Sequence, residues 1–223
     1  MKNQTAIVIG ATGLIGYNLV KLILEDDNFS CLKVFTRRTL GINNKKLEEH
    51  LVDFDRIEEW KEQLKGDVLF SAMGTTLQKA GSKDVQYKID YTYQYETALA
   101  AANNGVNTYC LVSSAGANPK SFVFYSRIKG ELDQAVKALA FKNIFIFRPS
   151  ILEGERQESR RGERIGIVLS RLFTKIPGLT KYRPIPGEIV ARAMIHVSKT
   201  VQIRKEFEIY TLEEIFSLLD QPN

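Results

Sequence analysis

Seven residues near the start constrain this chain most: Gly10-Ala11-Thr12-Gly13-Leu14-Ile15-Gly16. They follow Thr5 to Ile9, a β-branched apolar run of the kind that forms a buried parallel strand. They lead into Leu14 to Leu24, where apolar residues recur at helical intervals. A glycine triplet alone arises often by chance. Between a strand and a helix it specifies a tight turn, and it brings free N–H groups and the positive end of a helix dipole to one place. Gly10 permits the turn, Gly13 lets the backbone approach a pyrophosphate, and Gly16 lets the helix pack closely on the sheet. The Thr12 hydroxyl is placed to add a hydrogen bond. A chain built this way is expected to fold around a dinucleotide.

The rest of the sequence continues the alternation. Lys33–Thr36, His50–Phe54, Asp67–Ala72, Thr108–Ser113 and Ile144–Phe147 read as strands. Arg56–Lys65, Lys83–Asn104 and Ser121–Ala140 read as helices, the second ended by Asn104-Gly105. Strands separated by helix-length segments imply right-handed βαβ crossovers, hence an α/β doubly wound parallel sheet of the Rossmann type covered on both faces. The whole chain, 1–223, is expected to form one nucleotide-binding domain. Residues 150–223, with the Pro/Gly-rich stretch Pro177–Gly187, are expected to supply a small substrate-side lid.

The second strand ends in Thr36-Arg37-Arg38, where a site preferring NAD usually carries an acid for the ribose 2′-hydroxyl. Two guanidinium groups suit a 2′-phosphate instead, by charge and by fork geometry. With 31 Lys and Arg in the chain, a solvated basic turn is the plain competing account. Position at the strand end favours NADPH as the cofactor.

Composition excludes several classes. No apolar run reaches the roughly 18 residues of a membrane span, and no basic stretch with an apolar core marks a secretory leader. Cys31 and Cys110 are too few for a disulfide framework, so reduced thiols and a cytoplasmic location are expected. His50 and His196 lack ligand spacing, and ordinary structural roles are expected of them rather than metal binding. The net charge of +5 comes without a helix-turn-helix or an aromatic RNA-binding motif. Neither a nucleic acid nor a membrane is expected as partner.

Tyr125 and Lys129 stand four apart on an expected helix, one turn from each other on the same face. The lysine ammonium favours the phenolate and so draws the tyrosine pKa down towards neutrality. A tyrosine so placed can give a proton to a carbonyl oxygen as a hydride arrives at its carbon. Lys129 can also hold the nicotinamide ribose, and Ser114, after the fifth strand, can bond the same substrate oxygen. Taken alone, Tyr-x-x-x-Lys would be an ordinary helix face. Its agreement with the glycine turn and the strand-end serines makes it a catalytic candidate, because ligands of open α/β sheets bind beyond the carboxyl ends of the strands.

With these motifs the chain resembles the atypical short-chain dehydrogenase/reductase superfamily, and more closely the Tat-interacting-protein oxidoreductase group, over nearly its whole length. The resemblance rests on residues 10–16, Arg37-Arg38, Val52-Asp53-Phe54, Met73-Gly74-Thr75-Thr76 with Lys79-Ala80-Gly81, Ser113-Ser114, Tyr125 to Glu131 and Arg148-Pro149. Its most specific part is Arg156-Gln157-Glu158-Ser159-Arg160 with Gly162-Glu163. It implies that Thr12, Gly13, Leu14 and Ile15 line the pyrophosphate and that Arg37 and Arg38 hold the 2′-phosphate. It further implies that Met73 and Gly74 flank the ribose, and that Leu152 and Arg160 complete the cofactor contacts. Met73 stands where the group more often has Leu, a volume-conserving change. The expectation is an NADPH-dependent reductase of a small carbonyl substrate. The alternative is an NADPH-binding redox sensor acting through a protein partner. Epimerase or dehydratase chemistry ranks last, because the tail after the sixth strand is short for a nucleotide-sugar pocket.

Overall fold

The computed structural model describes residues 3–153, 183–200 and 206–220. A seven-stranded sheet, parallel throughout, runs in the order β3-β2-β1-β4-β5-β6-β9. Its strands are β1 (Gln4–Ile9), β2 (Phe29–Thr36), β3 (Leu47–Leu51), β4 (Val68–Ser71), β5 (Thr108–Val112), β6 (Asn143–Phe147) and β9 (Glu206–Tyr210). Two short strands, β7 (Leu152–Glu153) and β8 (Ile185–Pro186), pair with each other apart from it. The helices are α1 (Leu14–Glu25), α2 (Leu77–Ala80), α3 (Lys83–Tyr87), α4 (Tyr93–Asn103), α5 (Phe124–Val136), α6 (Gly187–Thr200) and α7 (Leu212–Asp220).

The strands' two-residue period divides the core into two layers. Ala6 and Val8 of β1 face one layer with α1, α6 and α7, where Leu19, Val20, Ile23, Met194 and Ile215 are buried. Ile7 and Ile9 face the other, with Ala98, Ala101, Leu132 and Val136 of α4 and α5. This is the doubly wound arrangement expected from the alternation. Because both faces are covered, β4, β5 and β6 are buried along their whole length and read as apolar runs.

Local expectations shift at several points. The third strand lies at Leu47–Leu51 rather than His50–Phe54, because it is an edge strand with half its residues facing water, so no apolar run marks it. The helix expected over Arg56–Lys65 is replaced by two short 3₁₀ pieces, Phe54–Glu59, itself kinked at Arg56 (φ −125°, ψ 50°), and Lys61–Gln63. Phe54, Trp60 and Leu64 all point inward there, and the indole N–H donates to the Asp53 carbonyl at 2.9 Å. The helix over Lys83–Asn104 contains a π-helical turn at Lys88–Thr92. A strand the sequence reading did not identify, β9, extends the sheet beyond β6, with Tyr210 stacked on Phe147 at 5.1 Å. Of the segment 150–223 expected over the substrate, Ser150, Ile151 and Leu152 line the cleft described below. By contrast, α6 packs into the core and β9 into the sheet.

Candidate active site

At the carboxyl ends of β1, β2, β4 and β5 lies a cleft of about 1550 Å³. Its floor is the glycine turn. Gly10 has φ +79°, and a Cβ there would stand 2.5 Å from the Ala72 carbonyl carbon and the Met73 nitrogen, so the turn closes only with glycine. A Cβ on Gly16 would lie 2.1 Å from the Gly10 carbonyl oxygen. Gly16 therefore packs the helix against the turn itself rather than against the sheet. Gly13 is different: a Cβ would meet only the Gly10 oxygen at 3.2 Å and the Ala72 oxygen at 3.7 Å, so folding tolerates more there. Gly13 also serves as N-cap of α1, with no side chain capping the helix and no acid in its first turn. The first N–H groups and the dipole end are thus left for an anion.

Thr12, Leu14, Ile15, Met73, Gly74 and Leu152 line this cleft with Gly10 and Gly13. Arg37 and Arg38 line it at the end of β2, both exposed. Thr36 shapes their turn, its hydroxyl donating to the Arg38 carbonyl at 2.9 Å. The residues present fit a dinucleotide: a glycine cradle, an open helix N-terminus, and two guanidinium groups at the end of β2. Arg160 falls outside the described residues, as does all of 155–164.

Ser114, Tyr125 and Lys129 line the same cleft. Two features bring them together. Gly130 lies so close to the chain at Asn118 and Pro119 that a Cβ would stand 2.2 Å from the Pro119 nitrogen. The Asn118 N–H donates to the Ser126 carbonyl at 3.0 Å. The loop that carries Ser114 is thereby seated on the helix that carries Tyr125. The Ala115 N–H donates to the Pro149 carbonyl at 3.0 Å, anchoring the same loop to the end of β6.

Lys129 is buried, and its Nζ lies 3.2 Å from Oδ1 of Asp90, which is buried completely. Burial works against the ammonium, but Asp90, then Tyr125 and Asp133, overcome it and hold the lysine above its ordinary pKa. Asp90 sits on the π-helical turn. Its second oxygen accepts from the Thr75 N–H at 3.2 Å, and its backbone carbonyl accepts from the Gln94 amide at 2.9 Å. Gln94 in turn accepts from the Ser71 hydroxyl at 2.8 Å. A π turn admits one extra residue and re-aims the side chains that follow, a device frequent at functional sites. A second buried carboxylate, Asp133, accepts from Arg148 through Nε at 3.0 Å and Nη2 at 2.9 Å. Burial keeps its carboxyl above the usual range despite Ser113 and Arg148 beside it.

The sequence reading missed Asp90, although a signal was there. Gln86, Asp90 and Gln94 continue the four-residue row that runs on as Ala98 and Ala102, a buried stripe occupied at one end by polar groups. His50 stacks on Phe35 with ring centroids 4.6 Å apart.

No family model matches the chain. Among curated proteins it is 32% identical to the mitochondrial protein FMP52 of Saccharomyces cerevisiae, over 96% of each chain. It is 40% identical to that of Candida glabrata, over 89% of this chain and 86% of the relative. The FMP52 protein of Debaryomyces hansenii is 34% identical over 87% and 88%. Among solved structures, a UDP-N-acetylglucosamine 4-epimerase from Methanobrevibacter ruminantium superposes with a TM-score of 0.71 at 16% identity, over 95% of this chain and 77% of that one. A short-chain dehydrogenase/reductase superfamily protein from Agrobacterium tumefaciens with bound NAD superposes with a TM-score of 0.69 at 12% identity, over 93% and 77%. These neighbours show the fold, a doubly wound α/β sheet of the Rossmann type. The relatives' names overturn the cytoplasmic expectation, since they are mitochondrial proteins. Two cysteines without a disulfide between them do not specify a compartment. By its likeness to relatives matched along nearly their whole length, this chain belongs to the FMP52 family.

Proposed function

We propose that this protein is a mitochondrial NADPH-dependent oxidoreductase that reduces a small carbonyl compound to an alcohol. The observation that carries the reading is convergence. Ser114, Tyr125 and a buried, charged Lys129 share one cleft with a glycine turn and with Arg37 and Arg38. NADPH would lie with its pyrophosphate on Gly13 to Ile15, its 2′-phosphate on the arginines and its ribose near Met73 and Gly74. When bound, it supplies a hydride to the carbonyl carbon and is oxidised in turn.

The chain's own residues do the rest. Ser114 and Tyr125 hydrogen-bond the carbonyl oxygen and orient the carbon. As the C=O double bond is reduced, Tyr125 gives the oxygen its proton, a general acid step that follows from placement first and pKa second. Lys129 favours the phenolate left behind and holds the ribose hydroxyls. Asp90 keeps Lys129 charged and fixed, at the cost of part of the field the ammonium exerts on Tyr125. The resemblance to the Tat-interacting-protein oxidoreductase group supports the same cofactor, as does the absence of an acid from Thr36-Arg37-Arg38. The NAD named with the solved neighbours belongs to proteins only 12–16% identical.

The test is a panel of small aldehydes, ketones and quinones presented to the purified protein with NADPH, followed at the nicotinamide absorbance. Turnover of at least one carbonyl, faster with NADPH than with NADH, is expected. Absence of turnover throughout, together with NADPH-dependent capture of a protein partner, would replace the enzyme by the sensor.

A further inference from the structure

The cleft has two chemically different halves. Backbone N–H groups and guanidinium groups serve the nucleotide side. Beyond Tyr125 the wall is built by Leu77, Val85, Val123, Phe124 and Ile151. Leu77 is 47% exposed, Val85 42%, Val123 63% and Ile151 43%. Phe122, beside Val123, is fully exposed. Single apolar residues on a surface need no explanation. Here they come from three separate stretches of chain, the α2–α3 region, the loop before α5 and the segment after β6, and they meet at one cleft. Among the described residues lining the cleft there is no Asp or Glu, and its only arginines are Arg37 and Arg38 on the nucleotide side. The same stretches also bring Thr76, Lys79, Gln86 and Ser150 to the cleft. The five apolar side chains nonetheless outnumber them and offer an alkyl or aryl chain a surface already shaped for it.

We propose that this wall receives the apolar tail of the substrate, so that the carbonyl compound is a medium-chain or longer aldehyde or ketone, or an aromatic one, rather than a sugar or sugar nucleotide. The proposal rests on the reading of the cleft as a carbonyl reductase site and specifies its substrate class. The tail would lie along Val85, Val123 and Ile151 with its carbonyl at Ser114 and Tyr125. Covering those side chains removes apolar surface from water, which is the driving force for binding.

The experiment has two readouts. Propanal, hexanal, decanal and glyceraldehyde are compared as substrates by NADPH oxidation. Separately, propanol, hexanol and decanol are titrated calorimetrically into the protein saturated with NADPH, a pair that cannot exchange hydride, which reads the wall without turnover. The expected result is affinity rising about fourfold per added methylene between propanol and hexanol. Val85→Asp and Ile151→Asp should each flatten that series. Both side chains are partly exposed, so the variants should fold, with Val123→Ser as a milder third. Their circular dichroism and NADPH affinity report separately on the fold and the cofactor half. A flat alcohol series, or preference for glyceraldehyde, with NADPH binding intact would overturn the apolar wall and leave the reductase standing. A steep series with no carbonyl turned over would support the wall and overturn the reductase. Failure of NADPH to bind would overturn both.

Discussion

Lys129 Nζ lies 3.2 Å from Asp90 Oδ1, with both side chains closed off from water. The pair joins α5, which carries Tyr125, to the π-helical turn beneath the Met73–Thr75 loop. One contact thus sets the geometry of the proton donor and of the loop that would face the ribose. Removing one member of such a pair leaves the other charge uncompensated in a low-dielectric interior, typically at about 3–5 kcal/mol. Asp90→Asn should therefore lower the stability read from urea unfolding by about that amount. The Asp90→Leu, Lys129→Met double variant should recover most of it. The lysine's raised pKa means its contribution is fully present below the ordinary lysine value and is lost only as pH climbs through the raised one. Urea midpoints should show the pair's effect undiminished at neutral pH.

Gly16 and Gly13 should part company under substitution. Gly16→Ala forces a methyl to 2.1 Å from the Gly10 oxygen and should cost about 3 kcal/mol, as overpacking does at its upper range. Gly13→Ala meets its nearest atom at 3.2 Å and should cost about 1 kcal/mol or less. Yet Gly13→Ala should weaken nucleotide binding, because its Cβ would stand where the backbone meets the pyrophosphate. Thermal melts with calorimetric titration of NADPH separate the two effects.

Cofactor choice is assigned to Arg37 and Arg38. Charge-assisted hydrogen bonds contribute about 1.5–3 kcal/mol. The Arg37→Ala, Arg38→Ala double variant should thus bind NADPH about tenfold or more weakly, with NADH affinity almost unmoved. Equal affinities for the two nucleotides in the unsubstituted protein would contradict the assignment.

Cys31 should be a slow thiol. Burial first, then its hydrogen bond and charge contact with Glu48, push its pKa to about 11. Only the thiolate reacts. Alkylation by iodoacetamide near pH 8.5 should therefore run about a hundredfold slower than for a free cysteine, and Glu48→Gln should speed it.

What the sequence disclosed and what it hid follow from local versus non-local causes. The glycine turn, α1 and the strand ends Arg37-Arg38, Met73-Gly74 and Ser113-Ser114 were legible because composition and period carry them over a few residues. Edge elements were not. β3 is half solvated, and β9 alternates as Glu206-Phe207-Glu208-Ile209-Tyr210, with no apolar run to distinguish it from a loop. The Arg56–Lys65 region carries helix formers, but Phe54 and Trp60 must both reach the core beside Phe35, and that tertiary demand overrides propensity. Asp90 was only partly hidden: the four-residue row Gln86, Asp90, Gln94 marks it as facing inward, but the π turn that aims it at Lys129 has no local sequence rule.

Whether Tyr125 gives a proton to a carbonyl oxygen can be read from the Tyr125→Phe protein. The substitution keeps the ring and deletes the hydroxyl of a side chain that is already partly exposed, so stability should hardly move. General acid catalysis by one placed side chain is worth about 10²–10⁴-fold. The predicted result, on whichever carbonyl compound turns over fastest, is kcat reduced by that order with NADPH affinity changed less than a few-fold. Unchanged kcat in the Tyr125→Phe protein would contradict the chemistry while leaving the nucleotide site intact.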